Sequence, residues 1–117
     1  MKAVILVSHG SQFSKTKEEV VAFLHRLKQK SKADIFAFAF LEMEKPSIPE
    51  GIEKCAMSGA SEIIILLNFL NSGKHVDVDI PEIVRQAQLR HPKINFRITK
   101  PVGQHPKIAG LFAEMIA

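Results

Sequence analysis

Ala3-Val4-Ile5-Leu6-Val7, with the Ser8-His9-Gly10-Ser11 that follows, is the stretch that decides the fold. An apolar run this short and this continuous reads as a strand covered on both faces, the kind found in parallel sheets. Parallel strands need a crossover between them. The residues just past each strand's C-terminal end line the crevice where open α/β sheets bind ligands. His9 stands at such a position, and Gly10 beside it permits a tight turn and close approach of a bulky group.

The rest of the chain alternates in the same way. Ser14 to Lys30 carries Val20, Phe23, Leu24 and Leu27 at helical spacing. Ile35 to Leu41 is a second apolar run, with Phe36, Phe38 and Phe40 on one face and Ala37 and Ala39 on the other, which predicts a central strand packed between helices. Ser47 and Glu50 have capping-box spacing, Pro49 suits a first helical turn, and Gly59 supplies a left-handed stop. Glu62 to Leu67 reads as a third buried strand. After a polar loop, Asn68 to Lys74, Asp79 is expected to cap a helix with Pro81 in its first turn and Ile80, Ile83, Val84 and Ala87 as its stripe. His91-Pro92 ends that helix. Ile94, Phe96 and Ile98 alternate with polar residues, as on an edge strand. Pro106 to Ile116 closes with a short amphipathic helix whose Ile108, Leu111, Phe112 and Met115 share a face.

The order β-α-β-α-β-α-β-α predicts a single doubly wound α/β domain over residues 1–117. Its four-stranded parallel sheet is flanked by helices through right-handed crossovers, in flavodoxin-like layers. The lone cysteine, Cys55, lies in an apolar helical pattern and reads as an inert core thiol. Net charge is +4, compatible with an anionic ligand. There is no Trp or Tyr to stack on bases, so nucleic acid is not an expected partner. No apolar stretch reaches membrane-spanning length, and no signal-peptide pattern is evident, so no membrane partner and a cytoplasmic location are expected.

The chemistry should gather on one rim. His9 follows the first strand, Glu42 the second, and Asn68 to His75 the third. If the first strand lies between the other two, that rim holds the topological switch point. Neutral imidazoles suit first-row divalent metals, and a carboxylate can balance charge or accept a proton. His25, His91 and His105 read as structural, and Asp77 and Asp79 as caps rather than ligands.

Val7-Ser8-His9-Gly10-Ser11, Phe40-Leu41-Glu42 with Pro46-Ser47-Ile48-Pro49-Glu50, Asn68 through Pro81, and Gly103-Gln104-His105-Pro106 together resemble the CbiX/SirB sirohydrochlorin chelatases, in their short, single-lobe CbiX form. Gly73-Lys74-His75-Val76-Asp77-Val78-Asp79-Ile80-Pro81 is the specific part. The resemblance implies ATP-independent insertion of a divalent metal into sirohydrochlorin, with no organic cofactor. Co2+ for cobalamin biosynthesis is the expected metal, and Fe2+ for siroheme or Ni2+ are the alternatives. It implies His9 and His75 as metal-binding and catalytic residues and Glu42 as the assisting carboxylate. Gly10, Ser11, Asn68, Ser72, Gly73 and Lys74 are the implied substrate contacts. The family's usual aromatic-rich segment here reads Leu67-Asn68-Phe69-Leu70, a departure near Asn68. A homodimer would rebuild the two-lobed cleft of longer relatives. The competing class is a histidine phosphocarrier of the sugar-transport IIA type, which also places Ser-His-Gly after a strand. A non-catalytic metal or tetrapyrrole carrier needs the same ligands as a chelatase.

Overall fold

The computed structural model describes residues 1–117. Four parallel strands form one sheet: β1 (Lys2–Ser8), β2 (Ile35–Phe40), β3 (Glu62–Leu67) and β4 (Asn95–Ile98), in the order β2-β1-β3-β4. The first connection runs one way from β1 and the second the other, so the switch point falls between β2 and β3, at the end of β1. Helix α1 (Ser14–Lys30) covers one face. Helices α2 (Ile48–Met57) and α3 (Ile80–Arg90) cover the other, and α4 (Ile108–Ile116) ends the chain. No helix is long and apolar enough to cross a membrane.

Alternation along β1 divides the core. Ala3, Ile5 and Val7 join Ile63, Ile65 and Leu67 of β3 against Ile48, Ile52 and Cys55 of α2 and Ile80, Val84 and Ala87 of α3. Leu6 turns the other way and packs with Phe40 on Val20 and Leu24 of α1. The capping box at the start of α2 forms as its spacing requires: the Glu50 N–H donates to the Ser47 hydroxyl at 3.2 Å, and the Ser47 N–H donates to the Glu50 carboxylate at 2.8 Å.

Four sequence expectations need correction. β2 is an edge strand, not a central one, so Phe36 and Phe38 are half-buried and only Phe40 of that row is buried. Its all-apolar pattern reflects cover on both faces, by α1 and α2, rather than a neighbour on both sides. Phe23 of α1 is exposed, because it stands at the wall of an open groove with Leu27 and Leu66 rather than in the packed layer of Val20 and Leu24. Asp79 caps nothing. A five-residue π-helical turn, His75–Asp79, precedes α3 without a break, so Asp79 is already helical and the Ile80 N–H donates to the His75 carbonyl. Finally, α4 does not settle on the sheet: Leu111, Phe112, Met115 and Ile116 are all exposed.

Candidate metal centre

The site is built by extending the sheet's own ladder beyond its strands. Past the end of β2, the Leu41 N–H donates to Ser8 O at 2.9 Å and the Glu42 N–H to His9 O at 3.0 Å. Glu42 is thus tied to the residue that carries the first imidazole. Past the end of β3, the Asn68 N–H donates to Val7 O at 2.9 Å, and its side-chain amide donates to the hydroxyl of the buried Ser8 at 3.0 Å. Gly10 has φ +104°, and a Cβ there would lie 1.8 Å from the Glu42 carbonyl oxygen. Only glycine lets the chain pass so close to its neighbour.

His75 arrives by a different route. Val76 and Ile80 are buried in the core one helical turn apart and fix the π-helical turn against it. His75 and Asp79 occupy the adjoining face at the same spacing, which is the spacing at which helical side chains meet.

These routes converge. His9 Nε2 lies 3.4 Å from Glu42 Oε1, and His75 Nε2 lies 3.9 Å from the same oxygen. The ligand atoms of all three residues lie within 4.8 Å of one another. Nitrogen and oxygen ligands about 2.0–2.2 Å from a tetrahedral ion stand about 3.3–3.6 Å apart, so small side-chain adjustments bring this trio to coordination distance. The rings are 5.5 Å apart at their centroids and tilted by 56°. The three side chains are 44–47% exposed, so the cluster opens to the rim rather than into a sealed cage. Each imidazole is also held by its other nitrogen: His9 Nδ1 lies 3.1 Å from Gly10 O, and His75 Nδ1 lies 2.8 Å from Asp79 Oδ2.

The remaining sequence candidates have mixed placements. The Ser11 N–H donates to Glu44 at 2.8 Å, the Asn68 amide is held by Ser8, and the Ser72 hydroxyl accepts from the Gln104 amide at 2.7 Å. Their polar groups thus already serve the loops that frame the rim. Gly73 has open space where a Cβ would stand, and Lys74 is exposed beside it. His25 is exposed on α1, far along the chain from any of these partners. His91 Nε2 lies 2.8 Å from Glu53 Oε1, joining the end of α3 to α2. That contact, more than the nearby Arg90, holds the Glu53 carboxyl below its usual range. His105 Nδ1 accepts from the Lys107 N–H at 3.1 Å, closing its own turn.

Asp79 is the residue that sequence reasoning missed. The i,i+4 spacing of His75 and Asp79 was the available signal, but it was masked by the Asp-Ile-Pro pattern of a helix start. Glu44, which fixes Ser11, had no periodicity to announce it.

Comparison with known proteins matches the chain to one family. Residues 3–117 match the CbiX family. A sirohydrochlorin ferrochelatase from Priestia megaterium is 33% identical over 116 residues, covering 99% of this chain and 44% of that protein. A sirohydrochlorin cobaltochelatase from Methanococcus aeolicus is 38% identical over 84 residues, covering 72% of this chain and 59% of that protein. The cobalt complex of the sirohydrochlorin chelatase SirB from Bacillus subtilis subspecies spizizenii superimposes with TM-score 0.89 at 31% identity, over 98% of this chain and 49% of SirB. The chain thus spans less than half the length of SirB and of the Priestia ferrochelatase. A CbiX protein from Marinobacter aquaeolei shares the fold at nearly equal length, with TM-score 0.85 and 94% of that chain covered. On this match of sequence and architecture, the chain belongs to the CbiX family.

Proposed function

We propose that this chain inserts a divalent metal ion into sirohydrochlorin without ATP, and that His9, His75 and Glu42 deliver the metal. One observation carries the reading: two imidazole Nε2 atoms converge on a single carboxylate oxygen at an open rim of the sheet. A resident structural metal would be enclosed, whereas an ion to be handed on needs a face left free for its acceptor. Imidazole and carboxylate hold first-row divalent ions without selecting strongly among them. As the metal enters the macrocycle, two pyrrole protons leave. Glu42, freed as the metal moves away, is positioned to accept one, and an imidazole the other. Lys74 and the rim around Gly10, Ser11, Asn68, Ser72 and Gly73 are the proposed substrate contacts, with the net charge of +4 favouring an anionic macrocycle.

Cobalt is the proposed metal, in a cobalamin pathway. The cobalt complex of SirB and the cobaltochelatase from Methanococcus aeolicus support it. The Priestia ferrochelatase supports iron as the second reading. Sirohydrochlorin is mixed with Co2+, Fe2+ or Ni2+, with and without the protein, and its visible spectrum is followed. Fastest acceleration with cobalt is the expected result, lost in His9→Ala and His75→Ala. No acceleration with any metal overturns the chelatase reading and leaves a carrier.

We also infer that the working unit is a homodimer. Helix α4 leaves an apolar face in solvent. Beside α1 lies an open groove of about 530 Å³, walled by Leu6, Phe23, Leu27 and Leu66. A second copy's α4 has the apolar character to fill it. Light scattering should give twice the 13.1 kDa chain mass, reverting to one chain in Leu111→Asp/Phe112→Asp. A wild-type mass of one chain refutes the dimer.

A further inference from the structure

We infer that Asp79 is a positioning residue: its carboxylate fixes the His75 imidazole in the Nδ1–H form, so that the Nε2 lone pair faces Glu42. The inference rests on the reading of His9, Glu42 and His75 as the metal centre and adds a group outside that trio.

Asp79 Oδ2 lies 2.8 Å from His75 Nδ1. An ionised carboxylate only accepts, so the shared proton belongs to Nδ1. In a neutral ring Nε2 is then bare, and Nε2 is the atom that lies 3.9 Å from Glu42 Oε1. His9 reaches the same state through a different partner, since Gly10 O also only accepts and lies 3.1 Å from His9 Nδ1. Two unrelated local devices therefore orient both lone pairs toward one carboxylate. When both rings are neutral, three electron-rich atoms meet with no donor hydrogen among them, an arrangement that a cation relieves.

The backbone explains why Asp79 can reach. The π-helical turn closes a hydrogen bond from Ile80 N–H to His75 O, five residues apart, and this wider turn brings positions 75 and 79 nearer to eclipse than an α turn does. Val76 and Ile80 anchor the turn from the core side, so the pair does not depend on loop order. Asp77, in the same turn, is exposed and makes no bond to the ring, so it provides a control of equal charge. Carboxylates that bond the far nitrogen of a metal-bound imidazole raise its basicity, and their loss typically weakens metal binding 10–100-fold.

The test reads the tautomer directly. Metal-free, 15N-labelled protein is held at about pH 8.5, above the ordinary histidine range, and the His75 ring nitrogens are assigned by long-range 1H–15N correlation. The wild type should carry its proton on Nδ1. Asp79→Ala should lose that preference and Asp79→Asn, whose amide N–H can donate to Nδ1, should shift the ring toward Nε2–H, while Asp77→Ala should keep Nδ1–H. In a parallel titration with Co2+, Asp79→Ala should bind roughly 10–100-fold more weakly and Asp77→Ala as the wild type does. A wild-type His75 protonated on Nε2 overturns the inference, and so does an unchanged tautomer in Asp79→Ala. If Asp79→Ala does not fold, Asp79→Asn decides: an Nε2–H ring supports the inference and an unchanged Nδ1–H ring overturns it. The two readings fail separately. Cobalt binding unaffected by His75→Ala removes the metal centre but not the hold of Asp79 on the ring. Cobalt binding abolished by His75→Ala yet untouched by Asp79→Ala removes only the positioning role.

Discussion

Alanine at position 10 would place a Cβ 1.8 Å from the Glu42 carbonyl oxygen and 3.0 Å from its carbon. An ordinary carbon–oxygen approach is about 3.3 Å, so the two segments must separate by about 1.5 Å. The segment that gives is the one past the end of β2, since β1 is locked between two strands. That shift breaks the bond from the Glu42 N–H to His9 O, now 3.0 Å. It also widens the gap between His9 Nε2 and Glu42 Oε1 from 3.4 Å to about 5 Å, beyond the span of two ligands on one small ion. The backbone adds a second penalty, because φ is +104° at this position and a residue with a side chain held there costs about 1–3 kcal/mol. With about 1 kcal/mol for the lost hydrogen bond, Gly10→Ala should destabilise the fold by about 2–4 kcal/mol. For a chain of this size that lowers the melting midpoint by roughly 10 °C or more. Cobalt affinity should fall by about 100-fold, the scale expected when a ligand is misplaced by more than an ångström. The assays are calorimetric titration with Co2+ and thermal unfolding by circular dichroism. Gly110→Ala is the matched control: that glycine lies inside α4 with nothing within 4 Å of an added Cβ, and the change should stabilise by about 0.5–1 kcal/mol. A Gly10→Ala protein that melts and binds cobalt as the wild type does would refute the close-approach argument.

Burial pushes the Cys55 thiol up, so iodoacetamide at neutral pH should leave the native protein unlabelled and modify it fully in denaturant. Rapid labelling of native protein would place Cys55 outside the core. The Glu82 carboxyl is lowered to about 2, chiefly by its hydrogen bonds to Arg85 and then to Gln86. A carboxyl depressed in the folded state contributes stability that is present above the unfolded carboxylate range and lost as pH falls from about 4.5 through about 2. Carbon-detected NMR titration should place the Glu82 midpoint near 2 and return it toward 4.5 in Arg85→Ala; an unmoved midpoint would assign the shift elsewhere.

The order in which strands occur was legible because period and length are local properties. Ala3 to Val7 and Ile63 to Leu67 are covered on both faces and must be apolar throughout, and they prove to be the two central strands. The Phe and Ala alternation of β2 looked equally central, because a strand's pattern records what covers its faces and not who pairs with its edges. Which strand lies at the edge is fixed by the direction of each crossover, a relation between distant segments. The same limit applies to α4. Its apolar stripe was correctly seen, but a stripe names no partner, and Leu111, Phe112 and Met115 find none within their own chain.

The site divides along the same line. His9 and Glu42 were readable from topology, since each follows a parallel strand and adjacent strands end on one rim. Their pairing is then completed by two backbone bonds past the strand ends, from Leu41 to Ser8 and from Glu42 to His9. Asp79 was not readable, and Pro81 is the reason. A proline lacks an N–H and crowds the carbonyl four residues back, so Asp79-Ile80-Pro81 has the signature of a helix just beginning. The other way to accommodate that proline is to widen the turn before it. The bond from Ile80 N–H to His75 O does this, letting the helix begin ahead of the histidine, at Lys74. One proline thus serves both readings, and the choice between them rests on Val76 and Ile80. Both are buried, and a loop at residues 75–79 with its cap at Asp79 would have left Val76 without the helical spacing that places it over the core beside Ile80. Core packing therefore selects the π-helical turn, and that turn carries Asp79 to the far nitrogen of His75.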